Sequence, residues 1–246
     1  MKKVLITGAN KGIGLETAKQ LLQKGFHVYL GSRDLKNGWE AIEKLKLEGL
    51  TNVEAVQLDV TDEDSVTAAR KEIGRKTDVL DVLINNAGIN GGKPPYTALE
   101  ASADQFIAAF NTNVIGVARV TQAFIDLLQK SPQPRIVNVS TSVGSLALQS
   151  NPNWPIYDYA KFAVYASSKA ALNMYTIHLA YELRNTPFKV NAVCPGYTKT
   201  DFTGNNGSEV EIAGSRIMKY ALIDQNGPTG KFFSEETNPE AGEIPW

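Results

Sequence analysis

Short runs of apolar and β-branched residues alternate with longer stretches of helical period along this chain, and no other feature limits its fold as strongly. The runs are residues 2–8 ("KKVLITG"), 26–32 ("FHVYLGS"), 53–60 ("VEAVQLDV"), 81–88 ("DVLINNAG"), 135–141 ("RIVNVST") and 188–196 ("FKVNAVCPG"), with "GKFFS" near the end as a short seventh. Between them lie an amphipathic stretch from Ile13 to Lys24, a helix over 34–49, one opening at "TDEDSV" with a capping box from Thr61 to Asp64, and two helices over 98–130. The helix before the sixth run ends near Arg184, stopped by Asn185, Thr186 and Pro187. Buried strands separated by helices of ten or more residues predict a parallel sheet covered on both faces. No repeat, low-complexity linker or shift in composition divides the chain, so residues 1–246 read as one doubly wound α/β domain of about seven strands.

Composition removes several function classes. The formal net charge of -1 gives no general attraction to nucleic acid or anionic lipid. No 18-residue apolar run is present, and "MKKVLITGAN" meets glycine too early for a secretory signal, so a cytoplasmic protein is expected, with no nucleic-acid or membrane partner. Cys194 is the only cysteine, and His27 and His178 the only histidines, which leaves no basis for a disulfide or a metal centre.

Ligands of doubly wound sheets bind at the carboxyl ends of the strands. The unusual residues gather there: Gly8, Asn86 to Gly88, Ser140 to Ser142, and Pro195 with Gly196. "TGANKGIG" leaves the first strand and enters the first helix, with Gly8, Gly12 and Gly14 at its turns. Glycines let a pyrophosphate approach a helix N-terminus, where free N–H groups and the dipole favour anions. The G-x3-G-x-G spacing, "NNAG" at 85–88 and a Tyr-x3-Lys pair together resemble the short-chain dehydrogenase/reductase family, in the family's order and over nearly the whole chain. The resemblance implies a nicotinamide cofactor held by Gly8, Asn10, Lys11, Gly12, Ile13 and Gly14, by Asp59 and Val60 at the adenine, and by Asn86, Ala87 and Gly88. It adds the turn Pro195, Gly196 and Thr198 at the nicotinamide. An acid at the end of the second strand would bind the ribose 2′-hydroxyl, and an arginine would take a 2′-phosphate instead. Here Ser32 and Arg33 stand at that point and Lys11 in the glycine loop, so two cations and a hydroxyl favour NADP(H); Asp34 is expected to cap the next helix.

Two tyrosine–lysine pairs compete, Tyr157–Lys161 and Tyr165–Lys169. Counting from Thr141 leans towards Tyr157, since in many family members the hydroxyl lies about a dozen residues before the tyrosine. Measuring back from Arg184 at ~1.5 Å per residue puts Lys169 roughly 22 Å away, level with the strands' carboxyl ends, whereas Tyr157 would lie ~40 Å off. Small residues around the second pair, "YASSKAAL", also resemble the family's active-site helix, which selects Tyr165 and Lys169. A nearby lysine cation is expected to lower the phenol's pKa, making Tyr165 a proton donor to a carbonyl oxygen while Lys169 holds the nicotinamide ribose. The resemblance assigns the assisting hydroxyl to Thr141, three residues before Gly144, where the family carries serine; a shift of one residue would hand the role to Ser142. It also matches Asn113 to the asparagine that ties a water-linked proton relay to the lysine.

An insertion of about a dozen residues, roughly 150–162, precedes the active-site helix and carries Trp154, Tyr157, Tyr159 and Phe162. Those aromatics either wall the substrate mouth or pack the insertion against the body. The insertion, "GSRD", "PGYTKTDF" and "GPTGKFFSEE" resemble the carbonyl reductase branch, which includes plant terpenoid and alkaloid ketone reductases. An NADPH-dependent reduction of a small aldehyde, ketone or quinone is therefore expected, by a monomer or homodimer rather than a tetramer. The competing readings are an NAD-dependent secondary-alcohol dehydrogenase, a 3-oxoacyl-type reductase and a non-enzymatic NADP(H) sensor.

Overall fold

In the computed structural model, which describes residues 1–246, one seven-stranded sheet runs in the order β3-β2-β1-β4-β5-β6-β7. The strands are β1 (Lys3–Ile6), β2 (His27–Ser32), β3 (Val53–Gln57), β4 (Val82–Asn85), β5 (Arg135–Val139), β6 (Lys189–Val193) and β7 (Phe232–Phe233). Every pairing is parallel. The order reverses between β1 and β4, the switch point at which doubly wound sheets open a ligand crevice.

Two apolar layers hold the helices to the sheet. On one face α1 (Gly12–Gln23), α2 (Leu35–Leu47) and α8 (Val210–Ala221) bury Leu21, Ile42 and Ile217 against Val4, Ile6 and Val28. On the other, α3 (Glu63–Lys76), α5 (Gly116–Leu128) and α7 (Ala163–Glu182) cover Leu5, Leu83 and Ile136 with Ile73, Phe124 and Ala180. Fully burying a side chain of this size is worth about 1.5–3 kcal/mol, so the two layers dominate the stability. No helix is long and apolar enough to cross a membrane.

The strands end sooner than their apolar runs, because the last residues exchange ladder bonds for side-chain bonds that shape the crevice. Thr7 Oγ1 accepts from the backbone N–H groups of Asn86 and Ala87, each at 3.0 Å. Asn86 Nδ2 donates to the carbonyls of Thr7 and Gly8. The ends of β1 and β4 are thereby stitched together where the glycine loop starts.

Two expectations need correction. Asp62, not Thr61, caps α3, accepting from the N–H groups of Asp64 and Ser65. Thr61 is drawn away by Asp59, whose Oδ1 accepts from both its N–H and its hydroxyl. Nor do two separate helices fill 98–130: α4 (Ala103–Phe110) continues through a π-helical turn, Asn111–Ile115, directly into α5. That wider turn frees the Asn113 side chain to grip the chain after β4. A short α6 (Leu146–Gln149) follows β5, and the C-terminus reaches it: Trp246 stacks on Phe232 at 5.3 Å, and its terminal oxygen accepts from the Ala147 N–H.

Replacing Asp62 by alanine is expected to cost about 1 kcal/mol, lowering the midpoint of thermal unfolding by ~2–4 °C in a chain of this size. An unchanged midpoint would show that the cap contributes nothing.

Candidate active site

The glycine loop forms a cradle by close approach. Gly8 and Gly12 have φ of +61° and +57°, a left-handed backbone that disfavours any side chain. A Cβ on Gly14 would lie 2.5 Å from Asn86 Nδ2 and 2.7 Å from the Gly8 carbonyl. The first turn of α1 begins at Gly12, and its N-cap residue, Lys11, makes no side-chain cap. Those N–H groups remain available to an anion.

Beside the cradle opens a cavity of about 440 Å³, lined by Asn10, Lys11, Ser32, Arg33, Asp34, Asn37, Glu40 and Lys44 among others. Three cations and two carboxylates meet there, but the Asp34 carboxylate is occupied in capping α2. Arg33 lines the cavity, is exposed and makes no ion pair. These groups fit a phosphorylated ribose. The Ser32 hydroxyl does not contribute as expected: it is buried and donates to the Asp34 carbonyl at 2.6 Å. Lys11 pairs with Asp201 at 2.7 Å, across from the loop after β6. Asp59 is half-buried and holds the loop at Thr61, while Val60 packs against Gly116 on α5. Ile13 packs into the apolar layer below the loop.

At the other end of the crevice α7 runs unbroken from Ala163 to Glu182, which brings Tyr165 and Lys169 level with the ends of β4 and β5. Lys169 is 3% exposed and donates to the Val139 carbonyl at 2.7 Å. Its ammonium lies 5.8 Å from the Tyr165 ring centroid, and a Cβ on Gly88 would sit 3.5 Å from it. Asn113 is fully buried; its Oδ1 accepts from the Ile89 N–H, and its Nδ2 donates to the Ile89 carbonyl and to Ser168 Oγ. Ala87 and Gly88 are thus held between Thr7 on one side and Asn113 on the other.

Burial shifts both members of the pair toward neutrality. Desolvation pushes the Lys169 ammonium down to about 8, and it raises the Tyr165 phenol above its usual value rather than lowering it. The expected depression by Lys169 is absent: its own proton leaves near 8, so the lysine is already neutral at the pH where the raised phenol ionises. A phenol kept protonated can give a proton to an oxygen that is gaining negative charge.

Thr141 follows β5 and is half-buried, whereas Ser142 is 5% exposed and Ser140 donates to Asn173 Oδ1. Of the three hydroxyls at the strand end, Thr141 has the most open approach. Gly196 turns with φ of +92°; Pro195 and Thr198 are buried, the Thr198 hydroxyl donating to the Gly196 carbonyl.

The other pair is engaged elsewhere. Lys161 lies over the Tyr157 ring at 3.6 Å and donates to Gln149 at both its carbonyl and its Oε1. Of the nearby aromatics, Trp154 is buried and anchors its segment, while Tyr159 is 82% exposed. Sequence reasoning missed Asp201, Glu40, Lys44 and Phe202, whose ring lies 5.3 Å from that of Tyr165. Only the three-dimensional course of α2 and of the loop after β6 brings them to the crevice. Asn173 was also missed, although its spacing of four from Lys169 marked it.

The model of the short chain dehydrogenase family matches residues 2–211. A (−)-isopiperitenone reductase of Mentha piperita is 37% identical, covering 94% of this chain and 96% of its own. Among solved structures, salutaridine reductase from Papaver somniferum matches with a TM-score of 0.83 and 32% identity, over 95% of this chain and 100% of that one. NADPH-bound carbonyl reductase from chicken fatty liver gives a TM-score of 0.84 at 30% identity, over 100% and 99%. A glycine cradle at the switch point, a half-buried tyrosine beside a buried lysine at the strand ends and these matches lead to one conclusion: the chain belongs to the short-chain dehydrogenase/reductase family of oxidoreductases.

Proposed function

We propose that this protein is an NADPH-dependent carbonyl reductase acting on a small aldehyde, ketone or quinone. The observation that carries the reading is the Tyr165–Lys169 pair on one face of α7, the tyrosine half-buried and the lysine buried against the end of β5 within reach of the Gly88 backbone. The NADPH-bound carbonyl reductase, similar over the whole chain, supports the class of reaction and the cofactor. The unpaired Arg33 at the cavity rim, where an acid would favour the unphosphorylated ribose, supports the phosphorylated cofactor.

Bound NADPH supplies the hydride that reaches the carbonyl carbon. Tyr165 gives its proton to the carbonyl oxygen as negative charge grows there, and burial keeps the phenol protonated until that moment. Thr141 donates a hydrogen bond to the same oxygen. Lys169, beside Gly88, would hold the ribose hydroxyls. Asn113 serves the proton relay by positioning, since its amide is already used by Ile89 and Ser168. The cradle residues Gly8, Asn10, Gly12, Ile13 and Gly14, with Asn86, Ala87 and Gly88, would hold the cofactor, with Asp59 and Val60 toward its adenine and Pro195, Gly196 and Thr198 toward its nicotinamide.

Three outcomes are expected. Tyr165→Phe lowers kcat by roughly 10²–10⁴-fold toward a panel of aldehydes, ketones and quinones with NADPH oxidation as readout; wild-type turnover by this variant would refute the mechanism. Arg33→Asp shifts the preference between NADPH and NADH toward NADH by about tenfold or more, measured as the ratio of kcat/KM; an unchanged ratio would remove Arg33 from the phosphate site. Lys169 in the free protein loses its proton near pH 8, so its charged form is present below that pH and lost above it. NADPH should therefore bind more weakly as pH rises through about 8 in direct titrations, and Lys169→Met should flatten that step.

A further inference from the structure

Three consecutive residues at the end of β5 are hydrogen-bonded to one face of α7. Asn138 Nδ2 donates to Thr176 Oγ1 at 2.9 Å, Lys169 Nζ donates to the Val139 carbonyl at 2.7 Å, and Ser140 Oγ donates to Asn173 Oδ1 at 2.6 Å. Asn173 does more than its neighbours: its Nδ2 also donates to the Gly144 carbonyl at 3.1 Å. One amide, 3% exposed, therefore spans the turn from Ser140 to Gly144, and Thr141 lies inside that span.

Within the turn the Gly144 and Ser145 N–H groups donate to the Thr141 and Ser142 carbonyls at 2.8 and 3.0 Å, and Gln149 Nε2 donates to the Val143 carbonyl at 3.0 Å, but none of these bonds ties the turn to α7. The Thr141 hydroxyl accepts only a long bond, 3.4 Å, from the Val143 N–H. Gly144 presses on α7 so closely that a Cβ there would be 2.8 Å from Lys169 Cβ. The contact sets how near the turn comes to the helix but, unlike a hydrogen bond, does not orient it there. The two Asn173 bonds, one on each side of Thr141, supply the direction. Tyr165, Lys169 and Asn173 follow at intervals of four on the same helix face, so the amide refers the turn to the frame that carries the tyrosine.

We propose that Asn173 is a positioning residue that aims the Thr141 hydroxyl at the carbonyl oxygen approached by Tyr165. This inference rests on the reduction described under Proposed function, with Thr141 as the assisting hydroxyl. Leucine at 173 matches the amide in size but leaves the Ser140 hydroxyl and Gly144 carbonyl without their partner.

The test is a double-mutant cycle of Asn173→Leu and Thr141→Ala, with phenanthrenequinone as substrate, NADPH affinity by direct titration, and hydrogen exchange of the Val143 to Ser145 amides in the free protein. Asn173→Leu is expected to lower kcat by about tenfold or more while the NADPH dissociation constant stays within about twofold. In the Thr141→Ala background the same change should lower kcat less than about twofold, because the group it aims is already gone. Exchange at the turn should rise about tenfold and stay unchanged in the rest of α7. An equal loss of kcat in both backgrounds, or unchanged exchange, would overturn the proposal. Should Asn173→Leu not fold, Ser140→Ala breaks one arm alone and should show the same pattern at about threefold; no change in that variant also overturns it. Exchange reads the positioning without turnover, so failure of the inference is separable from failure of the reduction. A wild type inert toward every carbonyl defeats the latter, while a fully active Thr141→Ala defeats the aim assigned to Asn173.

Discussion

The bond from Lys169 to the Val139 carbonyl organises the end of the crevice where α7 meets β5. An ammonium that is 3% exposed carries a large desolvation cost, visible in its fall to about 8, and the carbonyl is the one hydrogen-bond acceptor that offsets it. Moving α7 along or around its axis would break that bond and leave a buried cation alone. The helix is thereby pinned to the end of β5 at one register, and everything else on its face follows: Tyr165 one turn toward the crevice, Asn173 one turn behind.

The two halves of the crevice are built by different means. At the cofactor end the working groups are backbone: left-handed glycines, the open first turn of α1, and loop carbonyls tied by Asn86. Such groups need small residues and fixed strand ends, which the bonds from Asn86 and Ala87 to Thr7 provide. At the α7 end the groups lining the crevice are side chains, and they depend on other side chains buried behind them. Asn113 fixes Ile89 through a π-helical turn, and Asn173 fixes the turn after β5. Loss of a glycine would alter the first half by steric clash; loss of an amide would alter the second by releasing a loop.

What could be read along the chain followed from whether its cause is local. The alternation of apolar runs and helical stretches needs only the periods of strand and helix, and the sheet appears with all seven strands. Measuring back from Arg184 works because a helix has a constant rise, and α7 is continuous over the span that reasoning required. The capping of α3 failed on a competition between neighbours: Asp59 takes Thr61, and Asp62 becomes the cap. The phenol's shift failed because burial cannot be seen in a spacing: desolvation raises Tyr165 and lowers Lys169, so the lysine has lost its charge before the phenol ionises. Ser32 stood at the right point of β2, yet its hydroxyl turned to the Asp34 carbonyl two residues on.

The sequence by itself determined the parallel sheet, the glycine loop at its switch point and the one continuous helix that carries Tyr165 and Lys169 to the strand ends, since each depends on periodicity, backbone freedom or the length of one helix. Tertiary structure alone decided that Arg33 stands unpaired while Lys11 meets Asp201, that Lys161 is drawn to Gln149, and that Asn173 bridges Ser140 and Gly144. Those partners lie tens to hundreds of positions apart or on separate elements. Which of them meet is set by how the helices seat on the sheet and by the cost of leaving buried polar groups without a partner.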